Sequence, residues 1–258
     1  MISDPVFYLY AVPAVFLVGL SKGGLGGAMA LIGVPLMALA ISPVQAAAIM
    51  LPILILMDII SLWIWRRHNE ATTLRIMLPG AALGILIAWL TAAWVTEDAI
   101  RLIVGGVALI FSAQYFWRRY QDRRADRTVP TGPRPHRPLY GAFCGTLAGF
   151  TSFVSHAGGP PYQLYTLPLR HEPKAFIGAS VRFFAVVNAL KVVPYFALGE
   201  FDATNLKTAA VLLPLAVGAT VLGAVVVRRI RAEHFYPLMY AMVLVTAFKL
   251  IYDGLGGL

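Results

Sequence analysis

Charge is scarce in this sequence: only 13% of its 258 residues are Asp, Glu, Lys or Arg, about half the share of a soluble globular domain. Together with a 59% hydrophobic content and a mean hydropathy of +0.74, this argues against a water-soluble enzyme and for an integral membrane protein. Cysteine is nearly absent. Cys144 stands alone, which excludes an internal disulfide framework and a four-thiolate metal site. The five histidines are scattered along the chain, so no metal-ligand spacing is visible and neither a metal nor another cofactor is expected. There is no G-x-x-x-x-G-K-[ST] nucleotide loop and no G-x-S-x-G elbow, and adjacent Ser155 and His156 point in different directions on a helix, so a non-enzyme is expected. No basic stretch precedes the first apolar run, and hydrophobicity continues past Ala28-Met29-Ala30, so a cleaved signal peptide is not expected either.

What is abundant is apolar sequence of membrane-spanning length. Runs at about 44–65, 74–95, 98–117, 174–197, 206–227 and 234–252 are each long enough to cross a core of about 30 Å at a rise of about 1.5 Å per residue. Two regions break the pattern. Residues 5–41 are interrupted by Ser21-Lys22-Gly23-Gly24-Leu25-Gly26-Gly27, and residues 139–169 by Ser155-His156-Ala157-Gly158-Gly159-Pro160-Pro161. Their flanking apolar pieces of about 11–17 residues have the length of re-entrant or broken helices.

The two irregular regions resemble each other. At an offset of 126, Gly19, Gly23, Gly33 and Pro35 fall on Gly145, Gly149, Gly159 and Pro161. At 130, Pro43 meets Pro173 and Asp58 meets Asn188; at 135, Pro79 meets Pro214. The order of the matches points to a duplication, residues 1–117 and 139–258, with the drift in offset due to short insertions. Between the halves, residues 118–138 hold seven arginines and four prolines. They read as a solvated linker on the membrane surface; without an aromatic platform or recognition helix they do not read as a nucleic-acid site.

Positive charge sets the orientation. Arg66, Arg67, Arg75, the linker arginines, Arg170, Lys174, Arg228, Arg229 and Arg231 fall on one side if the long segments alternate, and that side is expected to be cytoplasmic. Residues 5–41 then begin and end outside, and residues 139–169 begin and end inside. The expectation is an all-α polytopic protein of two inverted repeats, each a broken or re-entrant helix pair plus three transmembrane helices, with both termini on the outer side.

Inverted repeats with a glycine-rich break at the same place in each half point to a transporter site near the bilayer midplane. A helix broken in the membrane exposes backbone N–H groups and the positive end of its dipole, an environment that favours an anion. The candidate ligands are Ser21, Lys22, Gly23, Gly24, Gly26 and Gly27 in the first half, and Ser155, His156, Gly158 and Gly159 in the second. Close helix packing is the alternative for the glycines. Arg182 lies too deep to snorkel easily, so it is expected either to bind an oxyanion or to pair with Asp58. Asp58 and Lys191 are read as an ion pair or a coupling site, and Asn188 shares a helix face with Lys191. His156 is open to three roles: structural residue, anion donor or proton carrier. Trp63, Trp65, Trp94 and Trp117, all near segment ends, are read as lipid-interface residues.

The run G-L-S-K-G-G-L-G-G from Gly19 to Gly27, then G-V-P-L and S-P-V-Q-A, with S-H-A-G-G-P-P-Y and E-P-K-A-F in the second half, resembles the TauE/SafE sulfite exporter family. The likeness extends to the basic linker and the proline-headed Leu78-Pro79-Gly80, so it covers essentially the whole chain. It implies a secondary transporter in the bacterial cytoplasmic (inner) membrane that moves a small sulfur oxyanion, sulfite or an organosulfonate such as sulfoacetate, with export expected. Besides the substrate anion, the bilayer is the expected partner, and a homo-oligomer is left open. The alternatives are an anion channel on the same scaffold and, with less in its favour, an intramembrane enzyme.

Overall fold

The computed structural model describes residues 2, 4–25, 30, 33–91, 97–124, 133–199, 201–230 and 232–256. Among these, regular structure is entirely helical. Helix α1 (Pro5–Leu20) starts where the Asp4 carboxylate accepts the Val6 N–H at 2.9 Å, a side-chain cap for an orphan donor. It runs on into a π-helical turn, Ser21–Leu25, in which Gly24 has φ 136°. Only glycine takes that angle without strain. The first half continues with α2 (Gly33–Met37), α3 (Pro43–Ile64), α4 (Ala71–Thr91) and α5 (Glu97–Arg124). The second comprises α6 (Pro138–Ser155), α7 (Gly159–Thr166), α8 (Pro173–Ala197), α9 (Ala203–Arg228) and α10 (Ala232–Gly256).

Among the described residues, six helices are long and apolar enough to cross a membrane: Pro5–Gly24, Val44–Ile64, Ala71–Thr91, Pro173–Ala197, Ala203–Arg228 and His234–Gly256. Five coincide with expected segments, whereas the expected segment 98–117, which lies in helix α5, is not among the six. The sixth differs, because the chain stays helical through Ser21-Lys22-Gly23 and turns only at Gly24. The expected short piece is thereby lengthened to 20 residues. Helix α5 also exceeds its expected end at residue 117 and carries the first linker arginines to Arg124. Large apolar side chains such as Leu9, Leu90, Val193 and Phe196 point outward, as lipid contact requires and water does not reward.

Helix partners come in matched pairs. Helix α1 packs on α9 and α6 on α4; α3 packs on α9 and α8 on α4; α3 meets α8, and α5 meets α10. Small residues set the closest approaches. A Cβ added at Gly149 would lie 2.1 Å from the Ala81 carbonyl oxygen, and one at Gly23 would lie 2.4 Å from that of Thr220.

The ends of the bundle are tied by side chains. Near the start of α9, Thr208 accepts the Ile2 N–H at 3.0 Å and Gln45 donates to Asn205 at 3.1 Å. At the other end of α9, Arg228 donates to the Ile64 carbonyl at 3.2 Å. On that same face the segment ahead of α6 meets the end of α7, through Arg134 N–H to Pro168 O at 3.1 Å.

Candidate functional site

The π-helical turn after α1 and the break between α6 and α7 face one cavity of about 60 Å³. Ser21, Lys22 and Gly24 line it from the first half; Ser152, His156, Gly159 and Asn188 line it from the second. The rest of its wall is largely apolar and includes Met50 and Leu54 of α3 and Ile177, Val181 and Phe184 of α8. The size suits a small oxyanion and is far below that of a drug-sized pocket.

Lys22 lines the cavity, and Lys191 bonds to two residues that line it. Lys22 Nζ is 2.6 Å from Asp58 Oδ1 and 5.5 Å from the Phe184 ring centroid. The other carboxylate oxygen of Asp58 accepts from Asn188 Nδ2 at 2.6 Å, so both oxygens of this buried acid are satisfied. Lys191 is completely buried. Its Nζ lies 3.1 Å from the Ser152 carbonyl, 3.2 Å from the Ser152 hydroxyl and 2.8 Å from His156 Nδ1. Three acceptors match the three hydrogens of an ammonium, and all three are neutral. Asp58 thus pairs with Lys22, while Lys191 is bonded only to neutral groups on the His156 side of the site. A neutral His156 that accepts from Lys191 at Nδ1 carries its hydrogen on Nε2. Nε2 is buried and makes no hydrogen bond of normal geometry, and the Ala47 backbone is a polar neighbour of the ring.

Local sequence explains the placement of His156. Helix α6 ends in a left-handed residue, His156 at φ 54°, with the His156 N–H returning to Ser152 O and the Ala157 N–H to Thr151 O. This is an αL-type stop formed without glycine. Pro160 and Pro161 follow in the first turn of α7, where a missing N–H costs nothing.

Of the residues expected from sequence, Ser21, Lys22, Gly24, His156, Gly159 and Asn188 line the cavity, while Asp58 and Lys191 bond to residues that do. Gly23 faces α9 instead, and its carbonyl accepts Trp65 Nε1 at 3.0 Å. Gly158 packs against the Ala148 carbonyl. Gly26 and Gly27 lie outside the described residues, and Ser155 is described only as the last residue of α6.

The structure places Arg182 away from the cavity. Its guanidinium donates to the carbonyls of His68 at 2.5 Å, Gly178 at 2.9 Å and Arg66 at 2.9 Å, with Trp65 at 3.4 Å. It closes the C-terminal end of α3, where carbonyls have lost their helical partners. The carboxylate expected to pair with it belongs to Lys22. Trp65 is likewise not at a lipid interface: it is buried, bonded to Gly23 and stacked by Arg228 at 5.2 Å. Trp63 and Trp117 are exposed as expected, and Trp94 is outside the described residues.

Sequence reading did not single out Ser180 and Phe184 for the site, although Ser180, Phe184 and Asn188 recur at a spacing of four on α8. That spacing places them on one helix face, a signal that was available.

A second polar cluster lies away from the cavity. Glu70, His136 and His171 bring one ligand-capable atom each within 4.8 Å of one another, so histidines scattered in sequence are gathered by the fold. Glu70 also accepts the Thr72 and Thr73 N–H groups at 3.0 and 2.7 Å, at the start of α4. Partial burial opposes its ionisation, but hydrogen bonds from Thr73 and Thr72 and the nearby His171 outweigh this and hold its pKa below the usual 4.5. Burial pushes the His171 pKa down, helped by His136 and opposed by Glu70.

Sequence comparison decides what the whole arrangement belongs to. The family model "Sulfite exporter TauE/SafE" matches residues 11–250, nearly the full length. The chain belongs to the TauE/SafE family. No curated protein and no solved structure matches it. As a TauE/SafE protein with six apolar helices of spanning length, it is a multi-pass membrane transporter for sulfur-containing anions, and the family is one of transporters rather than enzymes.

Proposed function

We propose that this protein carries sulfite, or a short organosulfonate such as sulfoacetate, out across the bacterial inner membrane by alternating access around the cavity between its two helix breaks. One observation carries the reading: the breaks of both halves, with Lys22 on one and His156 on the other, line one small cavity. A lysine and an imidazole beside a buried space make an environment that an anion relieves.

The halves are read as an inverted repeat. Exchanging α1–α5 for α6–α10 leaves the main set of helix contacts unchanged. The first helix pair begins and ends near the start of α9, through Ile2 and Gln45; the second begins and ends at the opposite face, near Glu70. That arrangement supports alternating access by motion of one half against the other. The basic residues at Arg66, Arg67, Arg228 and Arg229 support assigning that opposite face to the cytoplasm, which on this reading leaves both termini outside. An inside-negative potential already drives an anion outward, so export needs no coupling ion.

The test is thermal unfolding of the purified protein with sulfite, sulfate, thiosulfate and short sulfonates, followed by counterflow in proteoliposomes. Sulfite or a sulfonate should raise the unfolding temperature, since a ligand selective for the folded state stabilises it, and should show saturable exchange. If none does either, the reading fails; single-channel currents without counterflow would replace the carrier by a pore.

A further inference from the structure

The cluster of Glu70, His136 and His171 has no part in the anion cavity and joins three separate stretches of chain. Glu70 lies in the turn between α3 and α4, His136 ahead of α6, and His171 between α7 and α8. Two imidazoles and a carboxylate are the donor set of open zinc sites, which take three protein ligands and leave a fourth position free.

The supporting geometry is already present. His171 Nε2 lies 3.5 Å from Glu70 Oε2, longer than a hydrogen bond and close to the edge of a tetrahedron with metal bonds of about 2.0–2.1 Å. That nitrogen is buried with no hydrogen-bond partner. His136 is oriented by Tyr165, whose hydroxyl is 3.1 Å from Nδ1, which leaves Nε2 for a metal. The Glu70 carboxylate is held by the Thr72 and Thr73 N–H groups, and the His171 backbone carbonyl accepts the Tyr236 hydroxyl. Such outer partners fix ligand orientation in metal sites. A Glu70–His171 ion pair alone leaves that nitrogen without a hydrogen bond and does not account for His136 beside it.

We propose that Glu70, His136 and His171 form a site for a divalent transition metal of the zinc type, bridging the α3–α4 turn of the first half to the segments that bound α6 and α7 in the second. The ligands come from both halves, so an occupied site cross-links them at the end of the bundle that carries Arg66 and Arg228.

The test is titration of the metal-stripped, full-length protein in detergent with Zn(II), against a chromophoric chelator, and with Co(II) followed by its visible absorption. One Zn(II) per chain is expected, with affinity reduced at least about 10-fold in each of His136→Ala, His171→Ala and Glu70→Gln, and unchanged in His234→Ala. Co(II) should give the d–d bands of a low-coordinate site in the parent protein and lose them in His136→Ala. Glu70→Gln also weakens the start of α4, whereas His136 lies in a non-helical segment, so His136→Ala separates ligand loss from unfolding. Absence of binding at micromolar free Zn(II), or binding as tight in all three variants as in the parent, overturns the proposal.

Discussion

Asp58 accepts a 2.6 Å hydrogen bond from Asn188, the residue 130 positions later that stands in the matching place of the second half. In the proposed inverted repeat these two positions are equivalent, and equivalent positions touch only beside the twofold, so that reading puts its axis at the contact between α3 and α8. The other oxygen of Asp58 holds Lys22. Removing one partner of a buried pair leaves the other charge uncompensated, at a cost of about 3–5 kcal/mol. Lys22→Met should therefore lower stability by about that amount. Lys22→Met combined with Asp58→Leu should recover much of the stability while transport stays lost. Thermal unfolding and counterflow measured on the same preparations check both; a stable Lys22→Met single variant would show that the pair is not the strut described.

Arg182 should behave as a stability residue. Its guanidinium serves carbonyls at the end of α3 and reaches no cavity group. Arg182→Ala is expected to lose about 2 kcal/mol of stability, the scale of one charge-assisted hydrogen bond net of rehydration. Sulfite affinity of the folded fraction should stay unchanged. A binding loss without destabilisation would return Arg182 to the site.

The contact between α4 and α6 gives a packing test. An added methyl at Gly149 would meet the Ala81 carbonyl oxygen at 2.1 Å, whereas one at Gly106 meets nothing within 4 Å. Gly149→Ala should cost about 1–3 kcal/mol through forced separation of the helices. Gly106→Ala should be neutral or stabilising by up to about 1 kcal/mol. Parallel thermal melts of the two variants decide it.

Much of this was legible in the sequence because it depends on length and local chemistry. Runs of spanning length, the glycine breaks and the basic loops all follow from the chain's own periodicity, and they located Lys22, His156 and Asn188. What was not legible depends on which surfaces meet. Arg182 looked like a buried cation in search of an anion, because only the fold shows that α3 ends beside it with unpaired carbonyls. Trp65, near a segment end, looked interfacial until α9 and the π-helical turn covered it. The histidines were scattered because His136 and His171 approach Glu70 only when separate turns share one face.

Glu70 gives stability a pH dependence with a fixed sign. Its folded pKa is depressed below 4.5, so its contribution is present above that value and lost as pH falls through the lower folded value. Unfolding temperatures from pH 6 down to about 3 should drop more steeply below 4.5 for the parent protein than for Glu70→Gln. The variant should be the less stable of the two near neutrality, having lost the charged acceptor for Thr72 and Thr73. Parallel curves would show that this carboxylate does not contribute.

His156 supplies the sharpest test of the anion site, because its side chain and its backbone have separable duties. The backbone caps α6 at φ 54°, an angle that asparagine tolerates better than most residues. The side chain forms part of the cavity wall, with Nδ1 2.8 Å from Lys191 Nζ. His156→Asn should keep the cap while withdrawing the imidazole donor. Loss of one hydrogen bond to an anion, worth about 1.5–3 kcal/mol, weakens binding about 10-fold or more. Calorimetric titration with sulfite, beside a melt showing that the fold survives, measures this directly. A His156→Asn protein that binds sulfite as tightly as the parent would move the ligand away from the α6–α7 break.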